Sequence, residues 1–223
     1  AYFYQIQETS SKKIEHDQLA STGGLNRMII VEPKAINDVL GMVENSSSIL
    51  IVGCEGCSAV TQVGGEKQAE SLALLLELSS RLKSRRWRVK AVSTIRQCDR
   101  QIVASTLKPL IEEYDSIMCM GCGAGTQVVA DIFPDRLVFP GIDTKFIGSH
   151  DRDARAFTEL CRACGECVLD ETGGICPVTR CSKSLLNGPC GGYANGKCEV
   201  GGWVRDCAWV QIFNRLKAQN RLD

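Results

Sequence analysis

The chain has 223 residues, of which 44% are hydrophobic, enough for a packed core in one large or two modest domains. Lys and Arg together number 26 and so do Asp and Glu, so there is no bulk attraction for nucleic acid or anionic membrane. Aromatics at 6% argue against a base-stacking platform, and two histidines, His16 and His150, exclude a histidine-cluster site.

Residues 1–27 are polar, end in Ser21-Thr22-Gly23-Gly24 and read as an extension without a motif. The chain opens on Ala1 rather than Met, as expected of a processed or trimmed start, and Ala1 to Gln7 lack the basic start and apolar run of a secretory leader. From 28 to 148 the pattern is that of an α/β domain. Ile49-Leu50-Ile51-Val52-Gly53 is a short, apolar, β-branched strand of the buried kind. Gly64-Gly65 precedes a long helix whose apolar stripe is Ala69, Leu72, Leu75, Leu76 and Leu82. Val89 to Thr94 reads as a second strand, and Arg100 to Tyr114 as a helix broken or kinked at Pro109. Asp115 to Met118 is a third strand, Thr126 to Phe133 a further helix, and Leu137-Val138-Phe139 a fourth strand. Strands alternating with helices predict a mostly parallel, doubly wound sheet of the flavodoxin or Rossmann kind.

Residues 149–223 have another texture. An amphipathic helix is expected over Arg152–Cys161, followed by dense Gly, Pro and Cys up to Cys207. The apolar residues there are too few for an ordinary core, so inorganic staples are expected. Ala208 to Leu216 reads as a short amphipathic helix. No stretch approaches the roughly 20 apolar residues that span a bilayer, so no membrane span is expected.

Thirteen cysteines need an explanation. A disulfide scaffold is one, but the odd count, the length and the closely spaced pairs suit metal or cluster binding better. Cys161, Cys164, Cys167, Cys176, Cys181, Cys190, Cys198 and Cys207 supply ligands for two four-thiolate clusters. Cys161-x-x-Cys164-x-x-Cys167 is the first part of a ferredoxin ligand run, and it favours iron–sulfur over zinc, which usually takes pairs. The cysteine preceding a proline is Cys176, nine positions after Cys167, so the whole is ferredoxin-like only at its start. Cys54-Glu55-Gly56-Cys57 follows the first strand and Cys119-Met120-Gly121-Cys122 the third. In an open parallel sheet, ligands collect outside the carboxyl ends of the strands. The expected N-terminal centre is therefore Cys54, Cys57, Cys119 and Cys122 around iron–sulfur or zinc, with Cys98 left over.

Three features are weaker. Gly121-Cys122-Gly123-Ala124-Gly125 is not a dinucleotide fingerprint. The basic run Arg81 to Arg88 reads first as a helix end and second as a docking patch for an acidic partner. Glu112-Glu113 reads as a solvated face. No nucleophile–base pair, carboxylate dyad or phosphate loop is visible, so the chemistry expected is electron transfer, and whether the chain is an enzyme alone stays open.

Cys161-Arg-Ala-Cys164-Gly-Glu-Cys167, Thr172-Gly-Gly-Ile-Cys176-Pro, Cys181, Gly188-Pro-Cys190-Gly-Gly, Cys198-Glu-Val and Asp206-Cys207-Ala-Trp209 resemble the small iron–sulfur subunit of acetogen-type methylenetetrahydrofolate reductases. Ile49 to Cys54 and Cys119-x-Gly-Cys122-Gly-Ala-Gly-Thr-Gln127 resemble it too, and the likeness covers about Met28 to Leu216. The resemblance implies two [4Fe–4S] clusters on the eight C-terminal cysteines and a third cluster or zinc at Cys54, Cys57, Cys119 and Cys122. It implies a cytoplasmic, non-catalytic electron-transfer subunit of one-carbon metabolism. The partner it implies is a flavin-containing TIM-barrel catalytic subunit, with further electron-transfer subunits as possible neighbours. The alternative is a zinc-binding scaffold that assembles or stabilises that subunit.

Overall fold

A computed structural model describes residues 28–222 apart from Ser84 and Arg155; the extension expected at 1–27 lies outside the described residues. The first elements are strand β1 (Ile29–Pro33), helix α1 (Ile36–Met42), strand β2 (Ser48–Cys54), the one-turn α2 (Cys57–Val60) and helix α3 (Glu66–Leu82). Strand β3 (Arg88–Thr94), helix α4 (Arg100–Leu107), strand β4 (Ser116–Cys119), helix α5 (Gly123–Ile132) and strand β5 (Leu137–Pro140) continue the alternation. After them come strands β6 (Ile142–Asp151) and β7 (Ala156–Cys161), the one-turn α6 (Pro177–Arg180) and helix α7 (Ala208–Ala218).

Four strands form a parallel sheet in the order β3-β2-β4-β5. Alternation along β2 divides the core, because successive side chains point to opposite faces. Ile49 and Ile51 pack with Val39 and Val43 around α1 and with Leu72 and Leu76 of α3. Leu50 and Val52 pack with Val103 and Leu107 of α4 and with Val129 and Phe133 beside α5. Helices thus cover both faces, and β2, flanked by β3 and β4, marks the point where the winding reverses. Openings for ligands form at such a point, outside the carboxyl ends of the strands.

The expected helix break at Pro109 is present: α4 stops at Leu107 and a short 3-10 turn, Ile111–Glu113, follows. On α3 the buried line is Ala69, Leu72, Ala73, Leu76 and Ser80, whereas Leu75 and Leu82 face out. The basic run is absorbed locally. Arg85 donates to Glu44 Oε1 at 2.6 Å, and Arg88 lies 5.0 Å over the Tyr114 ring.

The expected helix over 152–161 is instead β7, which pairs antiparallel with β6, while β6 also pairs antiparallel with β1. Its large apolar side chains, Phe157 and Leu160, are exposed on this outer strand. What decides its conformation is the edge of β6, the strand just before it, with which it forms a hairpin. Strand β6 also runs continuously through residues 148 and 149, where the change in texture begins. Beyond β7, buried apolar side chains are only Cys207, Ala208 and Ile212 among the described residues, apart from Pro177. Among the described residues no helix is long and apolar enough to cross a membrane.

Candidate metal centres

All thirteen cysteines are thiols outside any disulfide. Cys54 ends β2, Cys57 begins α2, Cys98 follows β3, and Cys122 caps α5. These four line one cavity of about 610 Å³ at the carboxyl edge of the parallel sheet, together with Ser58, Arg96 and Gln97. Burial pushes the Cys54 thiol up, the Gln97 and Gly56 amides oppose it, and Cys122 and Cys98 add to it. Burial likewise raises Cys98, reinforced by Cys122 and Cys57 and opposed by Arg96. Cys119 is placed differently. It is the last residue of β4, wholly buried among Val52, Ile117 and Val129. Burial pushes its thiol up to about 12, against a hydrogen bond with Thr126 and with a small addition from Cys54. The structure therefore brings Cys54, Cys57 and Cys122 together with Cys98, and leaves Cys119 in the core.

Residues that carried no motif shape this edge. Glu55, between the two cysteines of the first pair, accepts the Glu66 amide at 2.7 Å and the Ser93 hydroxyl at 2.5 Å. Its carboxylate thus sits at the first turn of α3 and fastens the cysteine loop to both α3 and β3. Gln97 is fully buried and donates to the Val52 and Gly53 carbonyls at 2.6 and 3.1 Å. Its Oε1 and the buried Ser58 Oγ have no hydrogen-bond partner. Gly121 is required by this packing, because a Cβ there would stand 2.3 Å from Gln97 Oε1.

Four of the C-terminal cysteines share a neighbourhood, and the other four follow one another between β7 and α6. Cys181, Cys190, Cys198 and Cys207 all line one small pocket, with Lys183, Glu199 and Trp209 on its wall. Cys190 Sγ contacts Glu199 Oε1 at 3.4 Å, Cys198 Sγ contacts Ser182 Oγ at 3.8 Å, and Glu199 pairs with Lys183. Cys161 ends β7, where its Sγ accepts the Ala163 amide at 3.3 Å, and Cys164 and Cys167 follow on the exposed loop. Cys176 caps α6, which the Thr179 hydroxyl ties to the Leu160 carbonyl at 3.2 Å. Burial raises the Cys176 thiol, but the Thr179 hydroxyl, the Thr179 and Val178 amides and Arg162 outweigh it, and the net shift is down. Gly191, directly after Cys190, has φ +79°, a conformation that L side chains rarely adopt.

Side chains do the stitching that a core would otherwise do. Trp209 Nε1 donates to the Leu185 carbonyl at 2.9 Å, Trp203 Nε1 to Gly192 at 3.2 Å, and Arg215 to Gly173 at 3.3 Å. Among the described residues no three of His, Cys, Asp and Glu converge tightly enough for a single ion. The donor set is nevertheless all-thiol in each neighbourhood, the chemistry that iron–sulfur clusters and structural zinc both take.

Residues 139–223 match a family model described as methylene-tetrahydrofolate reductase C terminal. The matched segment runs from the end of β5 and contains all eight C-terminal cysteines, but none of the N-terminal five. It relates that part of the chain to methylenetetrahydrofolate reductase. No curated protein matches the chain, and no solved structure does.

Proposed function

We propose that the chain is an iron–sulfur subunit that passes electrons to the flavin of a separate methylenetetrahydrofolate reductase catalytic subunit of the acetogen type. One observation carries the reading. The segment related to methylenetetrahydrofolate reductase holds eight cysteines and almost no apolar core. Such a segment needs bound inorganic groups to hold its shape.

On this reading Cys181, Cys190, Cys198 and Cys207, which share a pocket, hold one [4Fe–4S] cluster. Cys161, which ends β7, Cys176, which caps α6, and Cys164 and Cys167 on the loop between them hold the other. The N-terminal cysteines hold a third centre. When bound, the clusters supply one-electron transfer at potentials set by burial and by hydrogen bonds to sulfur. The chain's residues fix the thiols. The Lys183–Glu199 pair stands beside Cys190, and Trp209 ties the loop before it to α7. Reduction of methylenetetrahydrofolate to methyltetrahydrofolate takes two electrons and two protons. The chain delivers the electrons singly from a low-potential donor, and the protons come from water.

The test mixes the anaerobically purified chain with the flavin-containing catalytic subunit and a reduced viologen. The chain alone is expected to reduce no folate. With the partner, it should raise the rate of flavin reduction and of methyltetrahydrofolate formation. A colourless, zinc-loaded chain that stabilises the partner without changing the rate of flavin reduction would establish the scaffold role instead.

A further inference from the structure

The five N-terminal cysteines divide on geometry, and the division differs from what the two C-x-x-C spacings suggest. Strand order places β2 between β3 and β4, so the segments leaving these three strands meet at one edge. Cys54 ends the first strand, Cys98 lies beyond the second, and Cys122 lies beyond the third. Cys57 reaches the same place on α2.

We propose that Cys54, Cys57, Cys98 and Cys122 are the ligands of a multi-atom metal cluster at this edge, and that Cys119 is a core thiol outside the set. The proposal rests on the iron–sulfur reading above and assigns its third centre. The four thiols are all on the wall of one cavity of about 610 Å³, which has room for a multi-atom cluster, and no three of them converge tightly enough for a lone ion. The donor set is wholly thiol, which suits iron–sulfur. A second observation comes from the cavity wall, where the hydroxyl of Ser58 is buried without a partner. Buried polar atoms are nearly always satisfied. A bound cluster gives the Ser58 hydroxyl an acceptor in its sulfurs, the contact by which neighbouring groups tune such a centre. Arg96, also on the wall, opposes the negative charge that four thiolates bring. Cys119 has none of these features: it is absent from the wall and lies beside Val52, its register partner on β2, in the core.

The experiment compares Cys98→Ser, Cys119→Ala and, as a reference in the C-terminal region, Cys164→Ser, each in the full chain purified anaerobically. Iron, zinc and acid-labile sulfide are counted per chain. Cys98→Ser should lose one centre, about a third of the iron if three like clusters are present, and Cys119→Ala should keep the full complement. Loss of metal in Cys119→Ala with retention in Cys98→Ser overturns the assignment. If Cys119→Ala does not fold, alkylation of the unaltered protein decides. Cys98, although exposed, should resist iodoacetamide until the metal is chelated. Equal labelling of Cys98 before and after chelation overturns the proposal. The reference variant separates the two levels of inference. Iron lost from Cys164→Ser but not from Cys98→Ser rejects this ligand set and leaves the electron-transfer reading standing. Iron lost from neither rejects both.

Discussion

Cys119 and Cys98 show how far a single residue's role depends on what surrounds it. Cys119 belongs to a C-x-x-C pair, yet it closes a strand and points into the layer of Val52 and Val129. Its folded-state pKa, about 12, lies above the ordinary value of 9.0. Below pH 9 the thiol is neutral in both folded and unfolded chains, so its contribution to stability is complete there. Between pH 9 and 12 the unfolded chain releases the proton and the folded chain keeps it, so stability falls as pH rises. The limit for one group is about 1.4 kcal/mol per pH unit. Denaturant titrations should show a decline above pH 9 that is shallower in Cys119→Val. Identical slopes would mean that the thiol titrates normally. Cys98 carries the opposite lesson. Nothing adjacent to it in the sequence marks a ligand, because its neighbours in space arrive on β2 and β4. Strand order is a tertiary fact that spacing along the chain does not encode.

At the scale of elements, the parallel sheet was legible because its central strand, β2, is a compact apolar run and short β-branched segments alternate with helical ones around it. Ile49–Gly53 was expected and Ser48–Cys54 is found; Val89–Thr94 became Arg88–Thr94. Helix ends carry comparable local signals. Asp99 caps α4, accepting the Gln101 and Ile102 amides at 3.0 and 3.1 Å. Asp99→Ala should cost about 1 kcal/mol, and Asp99→Ser should recover much of it. Chemical denaturation checks this; a change within error would mean that water serves the two amides equally well. The antiparallel strands were not legible. Most of β7 is exposed, and its Phe157 stacks on His150 with ring centres 4.4 Å apart across the hairpin. Alternation is weak on a strand with no buried face, and a few apolar residues then fit a helical stripe equally well. Glu55, Gln97 and Ser58 were equally hidden, since a supporting side chain has no spacing signature of its own.

For the molecule as a whole, the two regions differ in what holds them. The α/β part buries two continuous layers, whereas the residues after β7 rely on Cys207, Ala208, Ile212 and a web of side chain to carbonyl hydrogen bonds. Removing iron anaerobically should therefore expose residues 162–206 to protease well before residues 48–140 are cut. Fragment mapping by mass spectrometry gives the order, and equal rates of cutting in both regions would contradict cluster-dependent folding. The change in texture at residue 149 was readable from composition, and β6 runs across it and pairs backward in the chain with β1.

That backward pairing has a consequence for synthesis. β1 is the first described strand to leave the ribosome, and its only sheet partner is β6, with Ile29 opposite Ile147. The parallel strands between them can find one another sooner, so β1 must wait, its edge unpaired, while they assemble. Contacts so distant along the chain are slow to form, and an unpaired strand edge invites association with other chains. The cysteine-rich segment follows β7 in the chain, so it is made after both partners of this pairing. Pairing with β6 covers one side of β1 and leaves the other as an edge of the finished β1-β6-β7 sheet, so the hazard of edge-to-edge association is reduced and not abolished.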